Sequence, residues 1–556
     1  MARTLRTAHR RSSEIERSEE VTSLSEDKAS TTPDESTVRV SPIKRWLHRV
    51  GYQIRWHAHW LFPNTIRGPG RRPRLFGSFD DRDNENTRVP EDEELRLRAI
   101  WAVELFGPAE IESLLISLTR LGWRAGFGRE RGEAVEWVRR QRSYGVGGWY
   151  NIGLVTRRAE QSRFVLAGNH AALPDEVDYL MVQMFHPTPS LTCVVIGFAF
   201  REDFQRIYER QLNQARKTVY ERLTEPRRIA IVDPWALKER AIAEARVAAQ
   251  LLAKSWIAKN LPGFYSGISP SPMPTAELVT TVKDHLFLPR TRTSSAQSDE
   301  AEKWRRIVLN SSPVDAWKAG DCEGFRFQIQ RDLVDDGGSH LVVQLCTSQV
   351  AETALSTLGG HTNCAYIQYC NDRIGGLLTN WSTVAFLMEI SKGIKSYRSA
   401  LAIESISRRE AVRTIEQIQS FFDRSLGTPA VVGELRDRAA CVADFRHWSG
   451  DYFSMSDFDA GKQASFANVI CTESQSRATR VVAQEQALRE HFVQLSSILS
   501  IRESVQAQKR MERLTVITLA VALLSLFVAV SPTKEWRLPV VFEKWQTHFQ
   551  GADASK

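Results

Sequence analysis

One histidine and three cysteines in the middle of the chain are of the residue types that bind zinc. His361, Cys364 and Cys370, together with Cys346 upstream, could supply the four nitrogen and sulfur ligands of a tetrahedral zinc site. However, Cys364 and Cys370 bracket the apolar run Ala365–Tyr369, and a cysteine in such a run is usually a small buried core residue. We therefore predict no metal site.

Two further segments have residue patterns that resemble ligand-binding loops. The segment from Gly126 to Gly132 is rich in glycine, as phosphate-binding loops are, but it follows a helical pattern instead of a strand and lacks the lysine that contacts phosphate. Asp457, Asp459 and Gly461 have the spacing of the start of a calcium loop, but the bidentate glutamate that should follow is absent. The sequence predicts no catalytic residue and no cofactor.

The chain that must position these residues has the composition of a globular protein, except near its C-terminus. Its 556 residues are 25% charged and 42% hydrophobic, and at roughly 100–200 residues per domain they predict about two to four units. The 74 basic residues exceed the 66 acidic ones by only eight, so the net charge of +8 gives no clear signal for nucleic acid. We predict an α+β class: a mixed α/β region, then long helices and one C-terminal transmembrane helix.

Composition and periodicity divide the chain into eight segments. They are a disordered tail (1–42), a basic aromatic segment and loop (43–92), an α/β domain (93–287), a linker (288–302), a second region that changes from α/β to helical (303–470), a stalk helix (471–513), a transmembrane helix (514–531) and a short tail (532–556).

Hydrophobic periodicity predicts the individual elements. The predicted strands are Trp149–Val155, Ser162–Leu166, Val177–Met184, Leu191–Phe200, Phe325–Gln330, Leu341–Thr347 and Ala365–Tyr369. The predicted helices are Ala109–Leu121, Phe204–Leu223, Trp235–Lys259 and a stretch from Leu377 through Phe422.

The segment Ile43–Phe62 interleaves tryptophan and aliphatic residues with lysine and arginine, a pattern that predicts a basic amphipathic helix. Two interpretations are open. The helix either lies on an anionic membrane surface or packs its apolar face on the main body and leaves a solvated basic face.

The stalk carries an apolar seam in which leucine and phenylalanine recur at spacings of four, three and four. The seam consists of Leu488, Phe492, Leu495 and Leu499. This spacing is typical of helices that pack on one another, although the seam is short for a coiled coil. A polar collar, Gln506–Arg513, follows without a helix breaker, so we predict one continuous helix from the stalk into the membrane.

The anchor, Leu514–Val530, is a run of 17 residues without a charge. At about 1.5 Å per residue it is roughly 26 Å long, the short end of what crosses a bilayer core. Basic residues are slightly more frequent before it than after it, which places the N-terminal body in the cytoplasm; they are Arg502, Lys509, Arg510 and Arg513, against Lys534, Arg537 and Lys544. The seven cysteines without a paired motif and the first 27 residues without an apolar run agree with a cytoplasmic body that has no secretory signal.

Small and weakly polar residues recur along one face of the anchor. This small-residue stripe consists of Thr515, Thr518, Ala522, Ser525 and Ala529. Helices in lipid associate through close packing of small residues, so the stripe predicts a homo-oligomer. Chance placement of small residues in an apolar run is the alternative.

The run from Gln506 to Thr518 resembles the end of the stalk helix and the start of the first membrane helix in CorA-type magnesium transporters. The resemblance implies a cytosolic α/β domain on long helices, with five membrane helices around an ion pathway. That family closes its first membrane helix with a Gly-Met-Asn motif, where this chain has Val528 to Pro532, and no second apolar stretch follows. The selectivity residues of the family therefore have no counterpart here.

Three functions are open from the sequence. The first is a membrane-anchored protein whose cytosolic body senses or binds a ligand and which self-associates through stalk and anchor. The second is a CorA-like ion channel with one membrane helix per subunit. The third is a membrane-tethered enzyme of an unrecognised class.

Overall fold

The computed structural model describes most of the chain between the two termini. The described residues are 42–61, 87–125, 132–145, 147–158, 168–216, 219–222, 229–267, 273–283, 285–287, 303–309, 316–328, 340–401, 427–455 and 464–530. The predicted tails, the linker at 288–302, the strand Ser162–Leu166, the calcium-like residues Asp457 to Gly461 and most of the glycine-rich segment lie outside them.

The chain forms two compact units, Met1–Phe76 with Tyr220–Ile231 and Gly77–Val219 with Val232–Lys556. Helix α1 (Pro42–Leu61) belongs to the first unit. In the second unit, the residues from Thr87 to Leu488 contain the sheet and the hydrophobic core, and we call them the body.

The strands are β1 (Arg96–Phe106), β2 (Arg124–Ala125), β3 (Gly132–Glu133), β4 (Gly148–Thr156), β5 (Asn169–His170), β6 (Val177–Thr188), β7 (Leu191–Phe200), β8 (Val219–Arg222), β9 (Ile229–Val232), β10 (Thr275–Thr281), β11 (Ala316–Ala319), β12 (Phe325–Gln328), β13 (His340–Cys346) and β14 (Tyr452–Ser454).

The helices that follow α1 are α2 (Ile111–Leu121), α3 (Ala134–Tyr144), α4 (Glu202–Asn213), α5 (Pro234–Asn260), α6 (Phe264–Gly267), α7 (Lys303–Leu309), α8 (Glu352–Ser356), α9 (Asn363–Leu401), α10 (Thr428–Arg438), α11 (Val442–Ser449) and α12 (Phe466–Val530).

Ten strands form one mixed sheet in the order β14-β11-β12-β13-β10-β1-β7-β6-β4-β5. Its centre is antiparallel, with β10 and β7 on either side of β1, whereas β10 and β13 run parallel. All ten residues of β7 are buried, because helices cover both faces of the central strands. The strand pairs β2–β3 and β8–β9 are separate small sheets.

Neighbouring residues of β7 show which helices cover each face, since successive side chains point to opposite sides of a sheet. Phe198 packs edge-on against Trp256 of α5, with ring centroids 5.9 Å apart. Gly197 faces the other way, where it leaves room for Trp101, whose indole N–H donates to Asn371 of α9 at 3.0 Å. The sheet therefore lies between α5 on one face and α9 on the other.

A second helical layer lies on α9. Helices α9, α10 and α11 all pack against the N-terminal part of α12. Ala478, Val481 and Leu488 of α12 are buried there, and Ser391 of α9 donates a hydrogen bond to Gln484 at 2.7 Å. The N-terminal part of this long helix is thus packed in the core of the body.

The structure confirms the predicted fold class, a mixed α/β region followed by long helices and one C-terminal helix that could span a membrane. Strand β7 has the predicted bounds, and α12 is continuous from the stalk through the anchor. Helices α2 and α5 match their predictions to within two residues at either end.

Two predicted elements are wrong. Ala365–Tyr369 is helical, not a strand, because it lies in the first turns of α9, where Ala365, Ile367 and Cys370 are buried; a short apolar run does not distinguish the two structures. The predicted helix Phe204–Leu223 is too long, because α4 ends at Asn213 and the chain re-enters as β8, which is held by pairing with β9.

The two α/β regions that the sequence analysis separated share one sheet. Strand β13, from the second region, pairs in parallel with β10, from the first, over seven residues from Thr275 to Thr281. The linker predicted at 288–302 therefore joins two strand groups of one sheet and does not separate two cores. The reason is the pairing of β10 with β13, which local composition does not reveal.

Candidate membrane anchor and ligand cavity

The C-terminal part of α12 has no cover from the rest of the chain. Every side chain from Ala507 to Ala529 is exposed, including Phe527 at 75%. Among the described residues, one helix is long and apolar enough to cross a membrane, and the qualifying segment is Ser504–Ala529, with a mean hydropathy of 1.9. An exposed helix that is apolar on all sides is typical of a membrane span.

The hydroxyl groups of the small-residue stripe bond to their own helix. Thr515, Thr518 and Ser525 each donate to the carbonyl oxygen four residues earlier, at 2.8 Å. The hydroxyl hydrogens of this face are therefore satisfied within the helix, as an apolar medium would require. Together with Ala522 and Ala529 they form a face of low side-chain volume along the anchor.

The predicted stalk seam divides into residues with different surroundings. Leu488 is fully buried in the core of the body, so its apolar surface is already covered within one chain. Phe492 is half-buried. For Leu495 and Leu499 the structure describes the helical backbone but not the side chain. Leu488 is thus a core residue of one chain and has no exposed surface for contact with a second copy.

The structure gives the zinc-type residues separate partners. His361 bonds through Nδ1 to the hydroxyl of Tyr366 at 2.7 Å and through Nε2 to Glu352 at 3.0 Å. Burial raises the pKa of Cys364 and raises that of Cys370 well above its ordinary value, so both remain protonated thiols, which are poor metal ligands. Among the described residues no three metal-ligating side chains come together.

A buried ion pair between the sheet and α5 was not found from the sequence. Glu277 of β10 is fully buried, and its Oε1 accepts from Nε of Arg246 at 2.9 Å and from Nη2 at 2.5 Å. Its Oε2 accepts from the hydroxyl of Tyr208 and lies 3.4 Å from Nε2 of His340. Every oxygen of the carboxylate therefore has a partner.

The ion pair controls the charge of its own carboxylate. Burial by itself would raise the pKa of Glu277, but the positive charge of Arg246 and the hydrogen bonds outweigh burial and hold that pKa below its ordinary value. Because both groups stay charged and both are bonded, this cluster stabilises the contact between α5 and the sheet.

A second buried arginine, Arg438, differs from Arg246 in having no carboxylate partner among the described residues. Arg438, at the end of α10, is 8% exposed. Its Nη2 donates to Asn380 at 2.8 Å, and its guanidinium carbon lies 4.3 Å from the ring of Phe445 and 4.9 Å from that of Trp448. Within the described part of the chain, Nη1 has no hydrogen-bond partner. Burial lowers the pKa of Arg438 to about 10.

Arg438 lines a cavity of about 460 Å³. The walls come from the turn after α3, the β6–β7 turn, α10 and α11, and the lining residues are Gly145, Gly147, Pro187, Thr188, Pro189, Glu434, Asp437, Arg438, Asp444, His447 and Trp448. The hydroxyl of Thr188 is also buried without a described partner. A buried polar atom without a hydrogen bond is uncommon and indicates that water or a ligand satisfies it.

The other charged residues of the cavity lining determine which ligand charges the cavity favours. The carboxylate of Glu434 already accepts from the backbone N–H and the hydroxyl of Ser190, at 2.9 and 2.7 Å. Asp437 and Asp444 are exposed at the rim. The inner wall therefore carries the positive charge of Arg438, which favours an anionic group, and the acidic rim favours a positive group beyond it.

Sequence reasoning missed this cavity because its lining comes from four separate parts of the chain. The one local signal is the motif around α11, where Arg438, Phe445 and Trp448 combine a cation with two aromatic rings at helical spacings. That signal predicts a stacked arginine but not a cavity. Only the β6–β7 turn, brought against α10 by the sheet, encloses the space.

Comparisons of the chain with protein-family models, with curated proteins and with solved structures find no match. The function must therefore be inferred from the geometry of the anchor and the cavity.

The two buried arginines predict different responses to the same substitution. In Arg246→Met the carboxylate of Glu277 loses its counter-charge while buried, and we expect the free energy of unfolding to fall by about 3–5 kcal/mol. Arg438→Met leaves no carboxylate unpaired but removes the donor to the buried Oδ1 of Asn380, and we expect a smaller loss of about 1–3 kcal/mol. Urea unfolding of the detergent-solubilised chain measures both. Equal losses would show that Arg438 also serves the fold.

Proposed function

We propose that this chain is a membrane-anchored binding protein. Its body binds a small ligand with an anionic group in the cavity beside Arg438, and its membrane helix joins copies of the chain. The body lies on the cytoplasmic side. The observation that carries the proposal is helix α12, which is buried in the body at one end and exposed and apolar at the other.

The physical reason for the anchor is the mismatch between this helix and water. From Leu514 to Val530 no side chain is charged, and the large apolar residues are more than half exposed, for example Leu519 at 61% and Leu524 at 64%. A bilayer removes this surface from water, and the helix satisfies its own backbone hydrogen bonds there. The collar, with Lys509, Arg510 and Arg513, is suited to the headgroup layer.

The basic collar also supports the proposed orientation. The N-terminal flank of the anchor carries one basic residue more than the C-terminal flank, and positive flanks remain cytoplasmic. The seven free cysteines suit a reducing compartment.

Self-association is proposed from the small-residue stripe. Helices in lipid gain little from apolar burial against one another, so close approach of their backbones is the main source of attraction. The stripe allows that approach, since its hydroxyls are folded back onto the helix at Thr515, Thr518 and Ser525. The large side chains of Ile517, Leu524 and Phe527 lie on the opposite side of the helix.

The cavity supplies the binding part of the proposal and a route by which binding could reach the membrane. Helices α10 and α11, which form two of its walls, pack directly on the buried part of α12. The thiol of Cys471 in α12 donates to the carbonyl of Ala439, immediately after Arg438, at 2.6 Å. A ligand that draws on Arg438 therefore acts next to the helix that enters the bilayer.

A CorA-like channel is the second candidate, and it is supported by the run from Gln506 to Thr518 and by the same stripe. Because Thr515, Thr518 and Ser525 donate their hydrogens to the helix, their oxygens keep lone pairs that could coordinate a passing cation.

The anchor predicts that the chain resists extraction by alkaline carbonate. The double variant Val521→Asp, Leu524→Asp places two charges at the centre of the anchor, at a cost of about 2.5–3.5 kcal/mol each, and we expect it to move to the soluble fraction. Val493→Asp changes an equally exposed valine of α12 outside the anchor and should remain in the pellet. Release of the unmodified chain by carbonate would remove the basis for the anchor.

The small-residue stripe predicts a difference between two alanines in the anchor. Ala522 belongs to the stripe, whereas Ala520 lies about 200° away around the helix. We expect Ala522→Leu to weaken self-association at least about tenfold, because it holds the helices apart, and Ala520→Leu to leave it unchanged.

Energy transfer between labelled chains in liposomes measures this association. Equal effects of the two substitutions, or no transfer in the unmodified chain, would contradict the stripe as an interface. Cation flux that is present in the unmodified chain and lost in Ala522→Leu would favour the channel over a non-conducting anchor.

The cavity predicts that a small anion stabilises the body through Arg438. With millimolar inorganic phosphate as the probe, we expect the melting temperature of the detergent-solubilised chain to rise by a few degrees, roughly 2–4 °C. Arg438→Met should abolish the rise. The matched control is Arg436→Met, which removes an exposed arginine of the same helix and should retain it. A rise that survives in Arg438→Met would place the anion elsewhere.

A further inference from the structure

Helix α1 carries a row of large apolar side chains that are exposed. These side chains are Ile43 at 70% exposure, Trp46 at 62%, Leu47 at 56%, Ile54 at 62% and Leu61 at 58%. At about 100° per residue their positions fall within an arc of about 100°.

The charge of α1 is of one sign. Its 20 residues include Lys44, Arg45, Arg49 and Arg55, and no aspartate or glutamate, so the helix carries four positive charges without a negative one. Arg55 is exposed and lies about 180° around the helix from Trp46, nine residues away. A polar side with only positive charge is complementary to a surface of negative charge, and such a surface together with an apolar layer beneath it is an anionic bilayer.

The aromatic content points to the same occupant. The sequence of α1 contains three tryptophans and one tyrosine, residues that concentrate at the boundary between headgroups and acyl chains. A protein groove or a second copy of α1 would have to offer negative charge next to an apolar surface. Two copies of α1 would instead bring like charges together.

The chain is able to bring α1 to the bilayer that holds the anchor. The spacer within α12, from the last buried residue Leu488 to Leu514, is 26 residues and thus about 39 Å long. The 25 residues between Leu61 and Thr87 can span at most roughly 85 Å. The reach of this connection exceeds the length of the spacer about twofold.

We propose that α1 is a second membrane contact, an interfacial helix that lies flat in the headgroup layer of an anionic bilayer with Ile43, Trp46, Leu47, Ile54 and Leu61 towards the acyl chains. It binds the lipid surface by apolar burial and by the attraction of its basic residues to anionic headgroups. This rests on the proposed function only in that both contacts involve the same membrane.

Photo-crosslinking of the full chain in proteoliposomes tests the proposal. The variants Trp46→p-benzoylphenylalanine and Arg55→p-benzoylphenylalanine place the same reactive group on opposite sides of α1. In vesicles of phosphatidylcholine with phosphatidylserine, we expect lipid adducts at position 46 to exceed those at position 55 at least about fivefold. Replacement of phosphatidylserine by phosphatidylcholine, or a salt concentration near 1 M, should reduce the adducts at position 46 at least about threefold.

The other occupants of the apolar face give different products. A crosslinked dimer at position 46 would show that a second copy covers α1, and an internal crosslink would show that the body does; either result overturns the proposal. Equal lipid labelling with and without phosphatidylserine overturns the requirement for anionic lipid.

Carbonate extraction of the same vesicles separates this proposal from the anchor. If the chain stays in the pellet but forms no lipid adducts at position 46, the result supports the anchor and refutes the α1 contact. If carbonate releases the chain although those adducts form before extraction, the result supports the α1 contact and refutes the anchor.

Discussion

The structure depends on one constraint, which is that a single helix passes from a protein core to an exposed segment without a charged side chain. Helix α12 satisfies its backbone hydrogen bonds internally along 65 residues, so the helix can change its surroundings without breaking. Its first part is fixed by burial of Ala478, Val481 and Leu488 among α9, α10 and α11. Its last part, from Leu514, continues the same helix and is exposed.

The cost of burying polar groups explains why the two arginines of the body differ so much. On the face of the sheet against α5, Glu277 and Arg246 neutralise each other, and Tyr208 and His340 complete the cluster, which suits a purely structural contact. Arg438 is held by two aromatic rings, the amide of Asn380 and the backbone carbonyl of Asp444, and these contacts keep a guanidinium buried without neutralising it. The cavity lining therefore contains a buried positive charge that has no paired carboxylate among the described residues.

The charges outside the body are consistent with one membrane surface. The collar before the anchor is basic, and so is α1. A single anionic leaflet would attract both basic segments. If the two segments lay on opposite sides of the membrane, one anionic leaflet could not attract both. Because the two segments are more than 400 residues apart in sequence, this agreement is a property of the whole chain and not of one local motif.

The sequence by itself determined the parts whose structure follows from a local pattern. The uncharged run Leu514–Val530, the unbroken helix before it and the apolar strand Leu191–Phe200 are each visible in consecutive residues, and the structure has all three. Tertiary structure decided the rest. The central strands β1 and β10 went unrecognised because Glu104 and Glu277 interrupt their apolar patterns, and each carboxylate is tolerated only because distant residues bond to it, such as Tyr265 and Arg246. The cavity, the join between the two strand groups and the burial of Leu488 likewise depend on contacts between residues far apart in the chain, which no local pattern encodes.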